Sequence, residues 1–156
     1  MGVIDDRKPL RAWPKLVLQL VPAIAVPLLT DTRLLTLLDG HVGGAWLSII
    51  ITAMWFVVVT NAINFLDNMD GLAAGLSAIA AASMLVITLE KSQWLVAGCL
   101  ALLVGACLGF LVFNAPRRGG ARMFMGDGGS LVLGFVLAFA AVRITYFDPA
   151  LPQGSH

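Results

Sequence analysis

The chain has 156 residues, of which 59% are hydrophobic and 12% charged, with a mean hydropathy of +0.90 and a formal net charge of +1. A soluble domain carries about 25% charged residues. Half that share excludes a water-coated soluble enzyme, a disordered region and a basic nucleic-acid binder, and no nucleic-acid partner is expected. The composition calls for an all-α integral membrane protein.

A membrane helix needs about 20 mostly apolar residues, and five stretches read as spans. The first, Lys15–Thr30, is short and holds Pro22 and Pro27, which kink it or make it partly re-entrant. Ala45–Leu66 is an uninterrupted apolar run. Gly71–Leu89 is rich in alanine and stops at Glu90 and Lys91. Trp94–Asn114 follows, with Cys99 and Cys107 packed among its apolar residues rather than forming a disulfide or metal site. Ser130–Phe147 is the last, with Arg143 near its end. These runs are too long for strands and do not alternate.

Five spans place Arg7, Lys8, Arg11, Lys15, Arg117, Arg118 and Arg122 on one side, and Arg33, Lys91 and Arg143 on the other. The positive-inside rule then sets the N-terminus in the cytoplasm and the C-terminus outside. The start, Asp5-Asp6-Arg7-Lys8, does not read as a cleavable signal peptide. The spacings Gly71/Gly75 and Gly105/Gly109 predict close helix packing.

The same topology brings Asp5, Asp6, Asp67, Asp70 and Asp127 to the cytoplasmic side, on three loops. Acids against a bilayer are costly unless paired, hydrated or bound to a cation. Carboxylates with few histidines favour a hard cation such as Mg²⁺ or Mn²⁺. Any single Asp can be a helix cap or an Arg partner; three such loops at one depth point to a site.

The most informative loop follows the second span. Its polar residues Asn61, Asn64, Asp67 and Asp70 recur every third position. A continuing helix would aim Asn64 and Asp67 into a shared pocket. Asp70 before Gly71 predicts an N-cap for the next helix. In the third loop, Gly126-Asp127-Gly128-Gly129-Ser130 precedes an apolar helix, as an anion cradle does. Asp127 inside it suits a metal that bridges phosphates. Phe124 either stacks on a base or anchors the loop at the interface. Asp5-Asp6 reads as a base-and-partner pair or as a solvated acidic tail.

Together these loops resemble a known family. GVIDDRKPLRAWPKLVLQ resembles its DD loop and following helix, NAINFLDNMDGLAAG its NxxNxxDxxDGLA motif, and RMFMGDGGSLVLGF its FMGDxGS motif. The family is the polyprenyl-phosphate N-acetylhexosamine-1-phosphate transferases (glycosyltransferase family 4). It includes the phospho-N-acetylmuramoyl-pentapeptide transferases and the undecaprenyl-phosphate GlcNAc-1-phosphate transferases. The resemblance implies Mg²⁺-dependent transfer of sugar-1-phosphate from a UDP-N-acetylhexosamine to a polyprenyl phosphate, releasing UMP. It also implies a bacterial inner membrane, with the active site on the cytoplasmic face.

By motif, Asp127 would be the main Mg²⁺ ligand, with Asn64 and Asp67 helping to hold metal or diphosphate. Asp5 and Asp6 would position the lipid phosphate more than deprotonate it, since a phosphate monoester has its second pKa at about 6. Asp70 and Phe124 match the uracil positions, and Asn61, Gly128 and Ser130 match the substrate-binding parts of the motifs. Lys15, in the KLxxQ stretch, reads as an interfacial anchor. The opening GVIDDR and Asn68 lean toward the GlcNAc-1-phosphate branch.

The expected organisation is a partial transferase domain over residues 1–146 and a short extracytoplasmic tail over 147–156. Family members are about twice as long, with spans before the DD loop and a later His/Arg-containing loop. His41 and His156 fall on the outer side and do not replace that histidine; Arg117, Arg118 and Arg122 are phosphate binders or positive-inside anchors. Three outcomes follow. The chain is a transferase, by itself, as a homodimer or with a completing partner chain. It is a truncated, inactive piece of one. Or it is a small ion- or proton-coupled transporter, which predicts acids at the bilayer midplane.

Overall fold

The computed structural model describes residues 12–30, 32–36, 39–115 and 120–146. Every regular element among them is helical: α1 Ala12–Leu29, the single turn α2 Asp39–Val42, α3 Trp46–Leu66, α4 Leu72–Glu90, α5 Trp94–Asn114 and α6 Gly126–Tyr146. Helices α3 to α6 are each long and apolar enough to cross a membrane, and α1 is a shorter apolar helix. At 1.5 Å per residue its 18 residues span about 27 Å. The helix runs through both Pro22 and Pro27.

The three middle spans agree with these helices to within one residue; the first helix starts at Ala12, three residues before the expected Lys15, and the last differs more. There the helix begins at Gly126, so the glycine-rich segment is a first helical turn and not a loop ahead of it. Gly126 has φ +68°, which suits glycine at the point where the chain turns into the helix.

Packing pairs α4 with α5, and α3 with α6 and α1. One core joins α3, α4, α5 and α6 through Ile63, Ala81, Leu100, Cys107, Leu137 and Ala140. A second joins α1, α3 and α6 through Ala23, Ala53, Phe56 and Ala138. In it, the Phe56 and Phe135 rings lie 4.8 Å apart. Small residues let the backbones approach, as membrane helices require. The tightest approach is at Gly134, where a Cβ would lie 2.7 Å from Thr60 Cα. Gly75, Gly105 and Gly109 would meet nothing within 4 Å. The expectation that the Gly71/Gly75 and Gly105/Gly109 spacings pack helices is therefore corrected: the close contact is made by a glycine outside either pair.

Contacts at the helix ends fix which termini lie together. Lys91 Nζ donates to the Ile144 carbonyl at 3.0 Å, joining the ends of α4 and α6. Near the start of α3, Arg33 bonds Asp39 at 2.7 Å and Ser48 at 3.2 Å. At the opposite end, the Gly71 N–H donates to Asn114 Oδ1 at 2.9 Å, joining the start of α4 to the end of α5. The start of α1, the end of α3 and the start of α6 gather at this second end.

Candidate active site

Helix α1 faces the bundle with one narrow stripe. Gln19, Ala23 and Pro27 are buried and Lys15 is half-buried, at i, i+4 spacing, while Trp13, Val17, Val21 and Leu28 are exposed. The stripe meets α3 in antiparallel register. Gln19 and Asn61 exchange amide hydrogen bonds, and Lys15 Nζ lies 3.5 Å from Asn64 Oδ1.

Lys15 also pairs with Asp127 Oδ2. Asn64 Nδ2 donates to Asp127 Oδ1 and to Ser130 Oγ, each at 2.8 Å. Ser130 Oγ in turn donates to the Gly126 carbonyl at 3.1 Å. Three elements far apart in sequence thus converge on one carboxylate. Asp127 sits in the first turn of α6, where the helix dipole favours an anion. Its side chain keeps 31% of its surface open, so a ligand can reach it.

The residues predicted for the site divide into groups. Asn64, Asp127 and Ser130 come together. Asp67 is the C-cap of α3, one turn beyond Asn64 and half-buried. Asn61 faces Gln19 and also donates to the Val57 carbonyl at 2.8 Å, so its amide is engaged within the fold. Asp70 is not the N-cap of α4. That position belongs to Gly71 at φ +75°, while Asp70 Oδ2 accepts from the Ala121 N–H at 3.1 Å. A positive φ is costly for a residue with a Cβ, so the glycine takes the turn and the acid is left to hold the neighbouring loop. Phe124 is 77% exposed. Asp5, Asp6, Arg117, Arg118 and the tail 147–156 lie outside the described residues.

Sequence reasoning missed three positions. Lys15, read as an interfacial anchor, instead engages Asp127. Gln19 was not singled out. Asn114, 4% exposed, accepts from Gly71 N–H and donates to the Met123 carbonyl at 2.8 Å. It ties the NxxNxxDxxDG turn to the segment before Asp127. Its one sequence signal is a lone amide closing an apolar run.

Beside the polar cluster, a groove of about 290 Å³ runs between α1, α3 and α6. Gln19, Thr60 and Gly128 supply its polar lining, with Pro22, Phe56 and Phe135 among the apolar walls. Thr60 Oγ1 is buried there without a hydrogen-bond partner among the described residues.

The model of the family described as glycosyl transferase family 4 matches residues 1–145. A probable undecaprenyl-phosphate N-acetylglucosaminyl 1-phosphate transferase of Bacillus subtilis (strain 168) is 33% identical over 160 aligned residues, covering 97% of this chain and 44% of the relative. A phospho-N-acetylmuramoyl-pentapeptide-transferase of Lacticaseibacillus paracasei is 36% identical, covering 86% and 43%. One of Acetivibrio thermocellus is 38% identical over 67% of this chain and 31% of that protein. The chain spans less than half the length of these curated relatives. With a family match over nearly its whole length, carrying the three motifs in order, the chain belongs to glycosyl transferase family 4.

Proposed function

We propose that this chain carries a centre for transfer of N-acetylhexosamine-1-phosphate from a UDP-linked sugar to undecaprenyl or another polyprenyl phosphate, in cell-wall or surface-polysaccharide synthesis. One observation carries the reading: Lys15, Asn64, Asp127 and Ser130 join at a membrane-helix end, beside an apolar groove. A phosphate could lie against the polar cluster while the first isoprene units enter the groove.

In the reaction, an oxygen of the lipid phosphate attacks the phosphorus that bears the sugar. A new P–O bond forms, the P–O bond to the UMP moiety breaks, and UMP leaves with the electron pair. Two anions must meet, so neutralising charge and aligning groups matter more than covalent help from the protein.

The residues suit a hard divalent cation. Mg²⁺ is commonly held by one or two carboxylates together with substrate phosphates. Asp127 offers a carboxylate flanked by the Asn64 amide and the Ser130 hydroxyl, and it already holds an ammonium. Among the described residues no group of three or more His, Cys, Asp or Glu could hold a metal, so phosphate oxygens would complete the shell. Mg²⁺, or Mn²⁺ in its place, would supply charge neutralisation between the phosphates. Asn64 fixes the Asp127 carboxylate, and Asp67 adds a second acid one turn away. By motif we assign Asp70 and the exposed Phe124 to the uracil, and Asp5 and Asp6, which lie outside the described residues, to the lipid phosphate. The basic N-terminal segment favours the cytoplasmic face of a bacterial plasma membrane for this end.

The acids argue against an ion relay. Asp39, Asp67, Asp70, Glu90 and Asp127 all lie at or next to helix ends, and none of these described acids is mid-span. A proton or ion pathway would place some of them at the bilayer midplane.

The test reconstitutes the chain in lipid with undecaprenyl phosphate and labelled UDP-GlcNAc. One arm uses the chain alone; the other supplies the segments that its relatives have in addition. Label entering the lipid fraction only with divalent cation, and stopped by chelator, supports the reading. No label in either arm overturns it; label in the second arm alone assigns the chain a partial centre.

A further inference from the structure

An ammonium on the site carboxylate is the feature that the reaction scheme leaves unexplained. Lys15 did not have to be there. A lysine near a helix end can extend its four-carbon stem to water, yet this one turns inward from the stripe that α1 packs against α3. Its Nζ contacts Asp127 Oδ2 and lies 3.5 Å from Asn64 Oδ1. Both are hard oxygens of the kind that Mg²⁺ takes.

We propose that Lys15 is a built-in counter-cation: it holds Asp127 and Asn64 in place before a divalent cation arrives, and is exchanged for that cation when it binds. The proposal rests on the reading of Asp127 as a cation ligand. Two cations cannot share one carboxylate oxygen without strong repulsion, so binding at Asp127 Oδ2 must release the ammonium. Without Lys15 the carboxylate would sit against α1 and α3 with its charge less compensated. With Lys15 the charge of the Asp127 carboxylate is balanced before the cation binds. After exchange the site gains two positive charges while the freed lysine, on its flexible stem, stays tethered nearby. The surroundings of Asp127 therefore gain positive charge only once the ion is in place, and phosphate binding is ordered after cation binding. Lys15 acts here as a positioning residue.

The experiment uses Mn²⁺ as the probe, with the full chain in lipid nanodiscs. Mn²⁺ affinity is read by electron paramagnetic resonance and Tm is measured with and without Mn²⁺. Lys15→Met and Lys15→Gln should bind Mn²⁺ about fivefold or more tightly than the parent chain, because a competitor has been removed. Their Tm should fall without Mn²⁺ and recover with it, whereas Lys15→Arg should behave as the parent does. Equal or weaker Mn²⁺ binding in both neutral variants, with binding abolished in Asp127→Asn, overturns the exchange and leaves the cation site standing. Undiminished Mn²⁺ binding in Asp127→Asn overturns the cation site and the exchange together.

Discussion

Asn64 on α3 donates a 2.8 Å hydrogen bond to the Asp127 carboxylate on α6, and the same amide nitrogen reaches Ser130 one turn further along α6. One side chain therefore helps to position the acid and ties two motifs together. Asn64→Ala removes both bonds and with them the hold that α3 has on the Asp127 carboxylate. Product formation in the reconstituted assay should fall by about 100-fold or more, the scale of losing one well-placed polar group in an active site. Asn64→Leu should fall as far, because shape alone does not replace the donor.

Asn114 links two backbone segments, accepting from Gly71 and donating to the Met123 carbonyl. Asn114→Ala takes the partner from the Gly71 N–H and from the Met123 carbonyl, at a cost of about 0.5–1.5 kcal/mol for each bond. Thermal unfolding in detergent should register that loss. Asn114→Asp keeps the acceptor for Gly71 and loses the donor to Met123, so it should still lower Tm.

Gly134 gives a stability test within the membrane. A Cβ there would lie 2.7 Å from Thr60 Cα and 3.1 Å from Thr60 O, both backbone atoms that cannot step aside. Gly134→Ala should destabilise by about 1–3 kcal/mol through overpacking. Gly105→Ala and Gly109→Ala, with nothing within 4 Å, should stay within about 0.5 kcal/mol of the parent. Equal effects at all three would contradict the helix packing described above.

The groove makes a separable claim about the lipid. Ala23 is a buried groove residue on α1. Ala23→Leu should narrow the space and raise KM for undecaprenyl phosphate several-fold, with KM for the UDP-sugar little changed. A rise in the sugar-nucleotide KM alone would remove the groove from the lipid path.

Much of this was legible in the sequence because membrane helices are apolar runs with polar ends. Trp94–Asn114 is bounded by an aromatic and an amide, and the expected bounds coincide with α5. The gathering of Asn64, Asp127 and Ser130 at one end of the bundle was legible for a different reason: each lies in a polar motif that adjoins an apolar run. Lys15 was misread because its partner is 112 residues away; a lysine near a helix end looks the same whether it meets water or a buried acid. Asp70 was misread because the residue after it, and not Asp70 itself, has the backbone freedom that the turn requires. Gly134 was overlooked because its close neighbour lies on another helix, whereas GxxxG spacing is visible within one.

The most direct test of the proposed centre is UMP release by the parent chain and by Asp127→Asn, in the reconstituted arm that makes lipid-linked product. The substitution keeps the size and shape of the side chain and removes its charge. The account predicts that UMP release falls by about 100-fold or more while the helical content of the chain is unchanged. UMP release within twofold of the parent would contradict it.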